Sequence, residues 1–239
     1  EGLAIADLKT IVTTMRQAAD NAGVKIVAGD TKVVPVGKAD KIFINTTGIG
    51  TVAEGVEIGG SNGQPGDKII LSGTMADHGV TILCQREGLA ISGEFTSDTA
   101  PLNDMVAAML ANHPAKIHVL RDPTRGGVAT TLKELAASSK VGVVIRETAL
   151  PIRPDVQGAC NLLGVDPLYL ANEGKLLAFV APEIADQTVA LLRQLPHGNN
   201  ATIIGEVMAA HPGEVLLETV VGSSRRLDML HGQPLPRIC

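Results

Sequence analysis

The chain has 239 residues, 45% of them apolar, enough to bury a sizeable core, and its 2% aromatic content without Trp excludes a base-stacking nucleic-acid surface. A formal net charge of -5 gives no basic stripe for phosphate backbones or anionic lipid. No apolar run is long enough to span a membrane and the N-terminus lacks a secretory pattern, so a cytoplasmic globular protein is expected, with no nucleic-acid or membrane partner.

The chain opens on a helical pattern, Leu3, Ile5, Leu8, Ile11, Val12 and Met15, which the run Asn21-Ala22-Gly23 should stop. Val24 to Ala28 then reads as a short buried strand, and Lys41 to Gly50 as a second, alternating strand. The Gly-rich stretch Gly59 to Gly66 is the most linker-like of the chain and closes a first unit at about residue 60.

Beyond it the expected order is strand Lys68 to Ser72, helix Ala76 to Arg86, helix Leu102 to Asn112, strand Ile117 to Leu120 and helix Gly127 to Ser138. Strand Val141 to Ile145, helix Val156 to Leu163, strand Leu176 to Val180, helix Pro182 to Leu195 and strands Ile203 to Val207 and Val215 to Leu217 follow. Such alternation with short connections predicts an α+β fold of mixed α/β layers. The segments are residues 1–60, a second α/β domain over 61–232 and a tail over 233–239.

Chemistry-bearing residues cluster in the joins. Gly29-Asp30-Thr31-Lys32 follows the first expected strand: a carboxylate is a hard ligand for Mg²⁺, glycine admits a phosphate to the backbone and Lys32 offers a point charge. The same residues also make an ordinary turn. Asp122-Pro123-Thr124-Arg125-Gly126-Gly127 lies between a strand and a helix, where paired glycines would leave amides open to an anion flanked by Asp122 and Arg125. Asn172-Glu173-Gly174-Lys175 leads into a strand; Glu173 is a candidate general base or a solvated turn residue. Asp77 reads as a helix cap and His78 as a second candidate for proton transfer.

Three cysteines are too few and too dispersed for a disulfide framework or a zinc cluster. Cys84 and Cys160 sit in apolar runs and read as buried hydrophobes. Cys239 differs: it follows Gly232-Gln233-Pro234-Leu235-Pro236-Arg237-Ile238, where alternate prolines favour an extended arm reaching about 20 Å. A prenylation signal would need the cysteine four residues from the end, which leaves a reactive thiol or a frayed terminus.

Gly29-Asp30-Thr31-Lys32-Val33-Val34, Asp122 to Gly127, Asn172 to Lys175 and Pro236-Arg237-Ile238-Cys239, in that order, resemble the HypE family of hydrogenase-maturation proteins over nearly the whole chain. That family belongs to the superfamily of aminoimidazole ribonucleotide synthetase, selenophosphate synthetase and thiamine-monophosphate kinase. The resemblance implies that two-domain architecture with the first domain incomplete, since family members carry about half a domain more ahead of the point where Glu1 stands.

It also implies the chemistry: Cys239 receives a carbamoyl group from the carbamoyltransferase HypF, ATP phosphorylates the carboxamide oxygen, and loss of the N–H protons with phosphate leaves a thiocyanate. The cyano group then passes to iron on HypC–HypD. By the same resemblance Asp30 and Asp122 hold Mg²⁺, Gly29, Thr31, Arg125, Gly126 and Gly127 meet the nucleotide, Lys32 stabilises developing charge, Glu173 with His78 behind it takes the proton, and the full-length protein is a homodimer. Two alternatives stand beside this: another kinase or synthetase of the superfamily with Cys239 incidental, and a carrier module without catalysis.

Overall fold

The computed structural model describes residues 1–88 and 93–230, and the described chain separates into two compact units that divide between Ala53 and Glu54. The tail 233–239 with Cys239 lies outside the described residues.

The first unit holds helix α1 (Ile5–Asn21), ended by a turn in which Gly23 takes a φ of 65°. The two strands expected at 24–28 and 41–50 do not form; both stretches run without a ladder partner. Their apolar side chains stay in water, with Val27 90%, Phe43 78% and Ile49 99% exposed. Alternation gives a segment the capacity to pair, but a strand needs a neighbour to take its N–H and C=O groups, and this unit supplies none.

The second unit is built on one sheet of seven strands: β1 (Lys68–Leu71), β2 (Ile117–Arg121), β3 (Gly142–Arg146), β4 (Leu177–Val180), β5 (Thr202–Met208), β6 (Val215–Glu218) and β7 (Ser224–Leu227). Their order is β2-β4-β1-β5-β3-β6-β7, with β3 and β6 parallel and every other pair antiparallel. Helices α2 (Asp77–Arg86), α3 (Asn103–Asn112), α4 (Gly127–Ser139), α5 (Pro154–Leu163) and α6 (Ala185–Leu192) complete it.

Alternation along the strands sorts side chains onto two cores, and in β2 a register shift between Ile117 and Val119 sends these two residues to opposite faces. Ile69, Leu71, Val119, Leu177 and Phe179 face α4, packing with Val128, Leu132 and Leu135. Ile70, Ile117, Ala178 and Val180 point the other way, against Met105 and Met109 of α3 and Val189 and Leu192 of α6. A smaller cluster joins Val80 and Leu83 of α2 to Val156, Ala159 and Cys160 of α5. Both internal cysteines are free; Cys160 is fully buried in that cluster and Cys84 packs at its margin, as small hydrophobes do. Burial, with the nearby Asp166 charge adding, pushes the Cys160 thiol up to about 11, so it is inert at neutral pH.

β7 escapes the sequence pattern because only Leu227 of its four residues is apolar and buried; Arg225 and Arg226 suit an edge strand. The segment 182–195 is a 3₁₀ turn at Pro182–Ile184 followed by α6, which ends at Leu192 rather than Leu195. The Gly-rich stretch 59–66 is anchored on the second unit: the Gly63 N–H donates to Ser139 Oγ at 3.1 Å, and the Gly66 N–H to the Val207 carbonyl at 2.8 Å.

Candidate active site

Four backbone segments of the second unit converge beside the first turn of α2: residues 73–76 ahead of it, the strap 97–99, the loop 122–126 between β2 and α4, and the loop 170–175 that leads into β4. Asn172, fully buried, ties three of them. Its Oδ1 accepts the Ala76 N–H at 2.8 Å, while Nδ2 donates to the carbonyls of Pro123 at 3.0 Å and Leu170 at 3.1 Å. A buried amide whose hydrogen bonds are all made specifies one arrangement of the groups around it. Ala76 sits at a φ of 71°, uncommon for a residue with a Cβ, and that bend aims the first turn of α2 at this junction.

Asp77 is the first residue of α2 and not its cap; the N-cap position is Ala76 and carries no side-chain cap. The Asp77 carboxylate instead accepts the Thr74 hydroxyl at 2.6 Å and lies 3.5 Å from Arg153. His78, one residue on, is buried; its Nδ1 meets Ser97 Oγ at 2.8 Å, and its Nε2 has no partner in the protein.

Glu173 is half-buried, and its Oε1 also lacks a partner. Burial raises its pKa; the negative charges of Asp98 and Asp122 add to the rise, and His78 lies close enough to counter part of it. A carboxylate more basic than usual, with one oxygen lacking a hydrogen-bond partner, is equipped to take a proton. The strap supports it: the Glu173 N–H donates to Asp98 Oδ1 at 3.1 Å, and Lys175 Nζ stands 3.2 Å from Asp98 Oδ2, off the hydrogen-bonding direction, as an ion contact. A cleft of about 280 Å³ opens alongside, lined in part by Thr74, Ser97, Asp98, Lys175 and His197.

The structure thus brings together Glu173, His78 and Asp122 from three separate motifs. Asp122 and Arg125 are exposed, with Asp122 3.9 Å from Arg121 Nε. The expectation that Gly126 and Gly127 leave their amides open to an anion needs correction for Gly127, whose N–H closes a turn onto the Thr124 carbonyl at 2.9 Å. Both glycines answer a steric demand: φ is 76° and 62°, and a Cβ on Gly127 would stand 2.5 Å from the Leu168 and Leu170 carbonyl oxygens.

Gly29, Asp30, Thr31 and Lys32 belong to the first unit and are exposed. The Thr31 main-chain N–H donates to Asp30 Oδ1 at 2.9 Å. A Cβ on Gly29 would meet nothing within 4 Å, which leaves that backbone open to a ligand.

Sequence reading missed Asp98 and Ser97, and it named Asn172 within its motif without a role. Asn172 carried a signal, an amide directly after the apolar Leu170-Ala171; Asp98, in a polar run far along the chain from Glu173, carried none.

This arrangement defines a class. Residues 64–218 match the family model for the C-terminal domain of AIR synthase related protein, and residues 2–52 the model for its N-terminal domain. All 239 residues align at 53% identity with the carbamoyl dehydratase HypE of Cupriavidus necator, covering 68% of that protein, and at 45% with that of Escherichia coli K12, covering 70%. A crystal structure of hydrogenase maturation protein HypE superposes at a TM-score of 0.96 with 49% identity, over the whole of this chain and 76% of that one. HypE solved with ATP gives 0.95 over the whole of this chain and 72% of that one, at 49% identity. The HypE–HypF complex gives 0.93 over 96% of this chain and 74% of the matched one, at 44% identity. The chain belongs to the HypE family of carbamoyl dehydratases.

Proposed function

We propose that this chain works in [NiFe]-hydrogenase maturation by dehydrating an S-carbamoyl group on Cys239 to a thiocyanate, with ATP consumed. The observation that carries the reading is a pair of buried polar atoms, Glu173 Oε1 and His78 Nε2, that have no hydrogen-bond partner, whereas the third such atom of this site, Asp98 Oδ2, has Lys175 as an ion contact. Buried polar atoms rarely go without partners, and a carboxamide offers what these two lack.

In this reading the carbamoylated thiol presents its N–H groups to Glu173; one N–H proton is released to solvent as the carboxamide oxygen is phosphorylated, and Glu173 accepts the other as the bond from carbon to the phosphorylated oxygen breaks. His78, held through Nδ1 by Ser97, keeps Nε2 available for a second hydrogen bond. ATP supplies the phosphoryl group that makes this oxygen a leaving group. Lys32 and Arg125 stabilise the charge on it. Asp30 and Asp122 suit Mg²⁺ in donor chemistry, as solvent-facing carboxylates to which phosphate and water would add. Among the described residues no three acidic, His or Cys side chains gather as a complete metal cage, so the ion would be shared with the nucleotide.

HypF, seen bound to a HypE in the matched complex, is the carbamoyl donor in this scheme, and HypC–HypD the acceptor of cyanide. The whole protein would act as a homodimer in the cytosol, where a thiol stays reduced. Among the described residues no helix is long and apolar enough to cross a membrane. The test is intact-protein mass spectrometry after incubation with HypF, a carbamoyl donor and Mg-ATP. A cyano group replacing the Cys239 thiol hydrogen is expected. Carbamoylation that persists in the presence of ATP would overturn the proposal.

A further inference from the structure

Two groups assigned to proton transfer are held by one short strap. Ser97 Oγ meets His78 Nδ1 at 2.8 Å and Thr99 Oγ1 at 2.7 Å, and one residue on Asp98 Oδ1 accepts the Glu173 N–H at 3.1 Å. The strap lies so close over Gly174 that a Cβ there would run into the Asp98 carbonyl oxygen, so the backbone of 173–175 is pressed onto it. On its other oxygen Asp98 is paired with Lys175 at 3.2 Å, with only 5% and 8% of the two side chains exposed.

A buried ion pair contributes little net stability, because desolvating both charges offsets their attraction; its better-attested service is to fix geometry. Here the pair locks the carboxylate that receives the amide of the base, and the lock is the residue two places past that base.

We propose that Asp98 is a positioning residue for the dehydration: seated by Lys175, it fixes the Glu173 backbone so that the Glu173 carboxylate and the Ser97-held His78 face the carbamoyl group in register. The inference rests on Glu173 as the proton acceptor proposed above. Asp98 touches neither substrate nor nucleotide in this scheme, and it acts through the Glu173 main chain.

The test compares two double variants of the whole protein that lose the same charges. D98A/K175M removes the acceptor for the Glu173 N–H, while D98N/K175M keeps a carbonyl oxygen in its place and leaves no unpaired ammonium to endanger folding. Single-turnover dehydration by D98A/K175M is expected to fall about 100-fold, as for a misplaced catalytic group, with the KM for ATP unchanged. D98N/K175M is expected to run at least about tenfold faster than D98A/K175M, since it retains the brace.

The Glu173 amide proton, read by NMR, should move to a position of weaker hydrogen bonding in D98A/K175M and stay near its original position in D98N/K175M. That readout needs no turnover. An amide resonance that does not move overturns the brace itself. A resonance that moves while both variants turn over equally overturns the role of Glu173 in the reaction.

Discussion

The two units obey the same sequence rules with opposite results. In the second, strand patterns such as Leu177–Val180 find partners on both edges and helices on both faces, and Phe179 ends fully buried. In the first, equally apolar stretches around Val27 and Ile49 lie in water, and no residue from 1 to 53 is buried. The difference is that periodicity selects which side of a strand is apolar, whereas burial requires a second surface to receive it. The exposed Asp30 and Lys32 of the first unit consequently sit on a frame with few internal constraints.

The comparison can be broken first at the site. Glu173→Gln should lower the dehydration rate by about 10²- to 10⁴-fold, the range for losing a positioned base, with the circular dichroism of the second unit unchanged. Near-parental turnover would remove Glu173 from the chemistry. Next in size, Phe179→Ala should cost the second unit about 3–5 kcal/mol in denaturant unfolding, whereas Phe43→Ala, at an exposed position, should stay within about 0.5 kcal/mol. Comparable losses would mean that the first unit packs more than its exposure indicates.

Glycines sharpen the same contrast. Gly127→Ala forces a side chain into positive φ against two carbonyl oxygens and should destabilise by about 1–3 kcal/mol. Gly29→Ala meets open space, so any effect should appear in ATP use and not in the unfolding midpoint.

Charge effects are smaller still and have opposite signs. The folded Glu173 carboxyl is held above its ordinary pKa, first by burial, so the ionised form costs stability above that folded pKa. The cost is absent once the pH falls below the unfolded value. Glu173→Gln should therefore be more stable than the parent at neutral pH and converge with it in acid. Glu206 is shifted downward, chiefly by its hydrogen bond from Lys68, so its contribution is present above the unfolded pKa and lost as the pH falls through the folded one. Lys68→Met should thus cost about 0.2–1 kcal/mol at neutral pH and nothing in strong acid, measured by thermal melts across pH.

What the sequence discloses follows from how local each determinant is. The helices and central strands of the second unit were legible because their apolar periods are written within ten or so residues. β7 was not, because an edge strand with Arg225 and Arg226 carries almost no apolar signal. Glu173 and His78 stood out as titratable groups at the ends of elements, yet their frame did not: Asp98 and Asn172 act across the fold on residues far from them in the chain. Gly127 was visible, but its N–H is spent on the Thr124 carbonyl, and a glycine needed for the close passage of another loop looks, in one dimension, like a glycine needed for a phosphate.

Asn172 has one more implication. A single amide holds the turn ahead of α2, the loop after β2 and the approach to β4 in a common grip. Any rearrangement of this junction must carry all three together or break that grip, so Glu173, His78 and Asp122, which stand on those segments, are geared to move as one assembly.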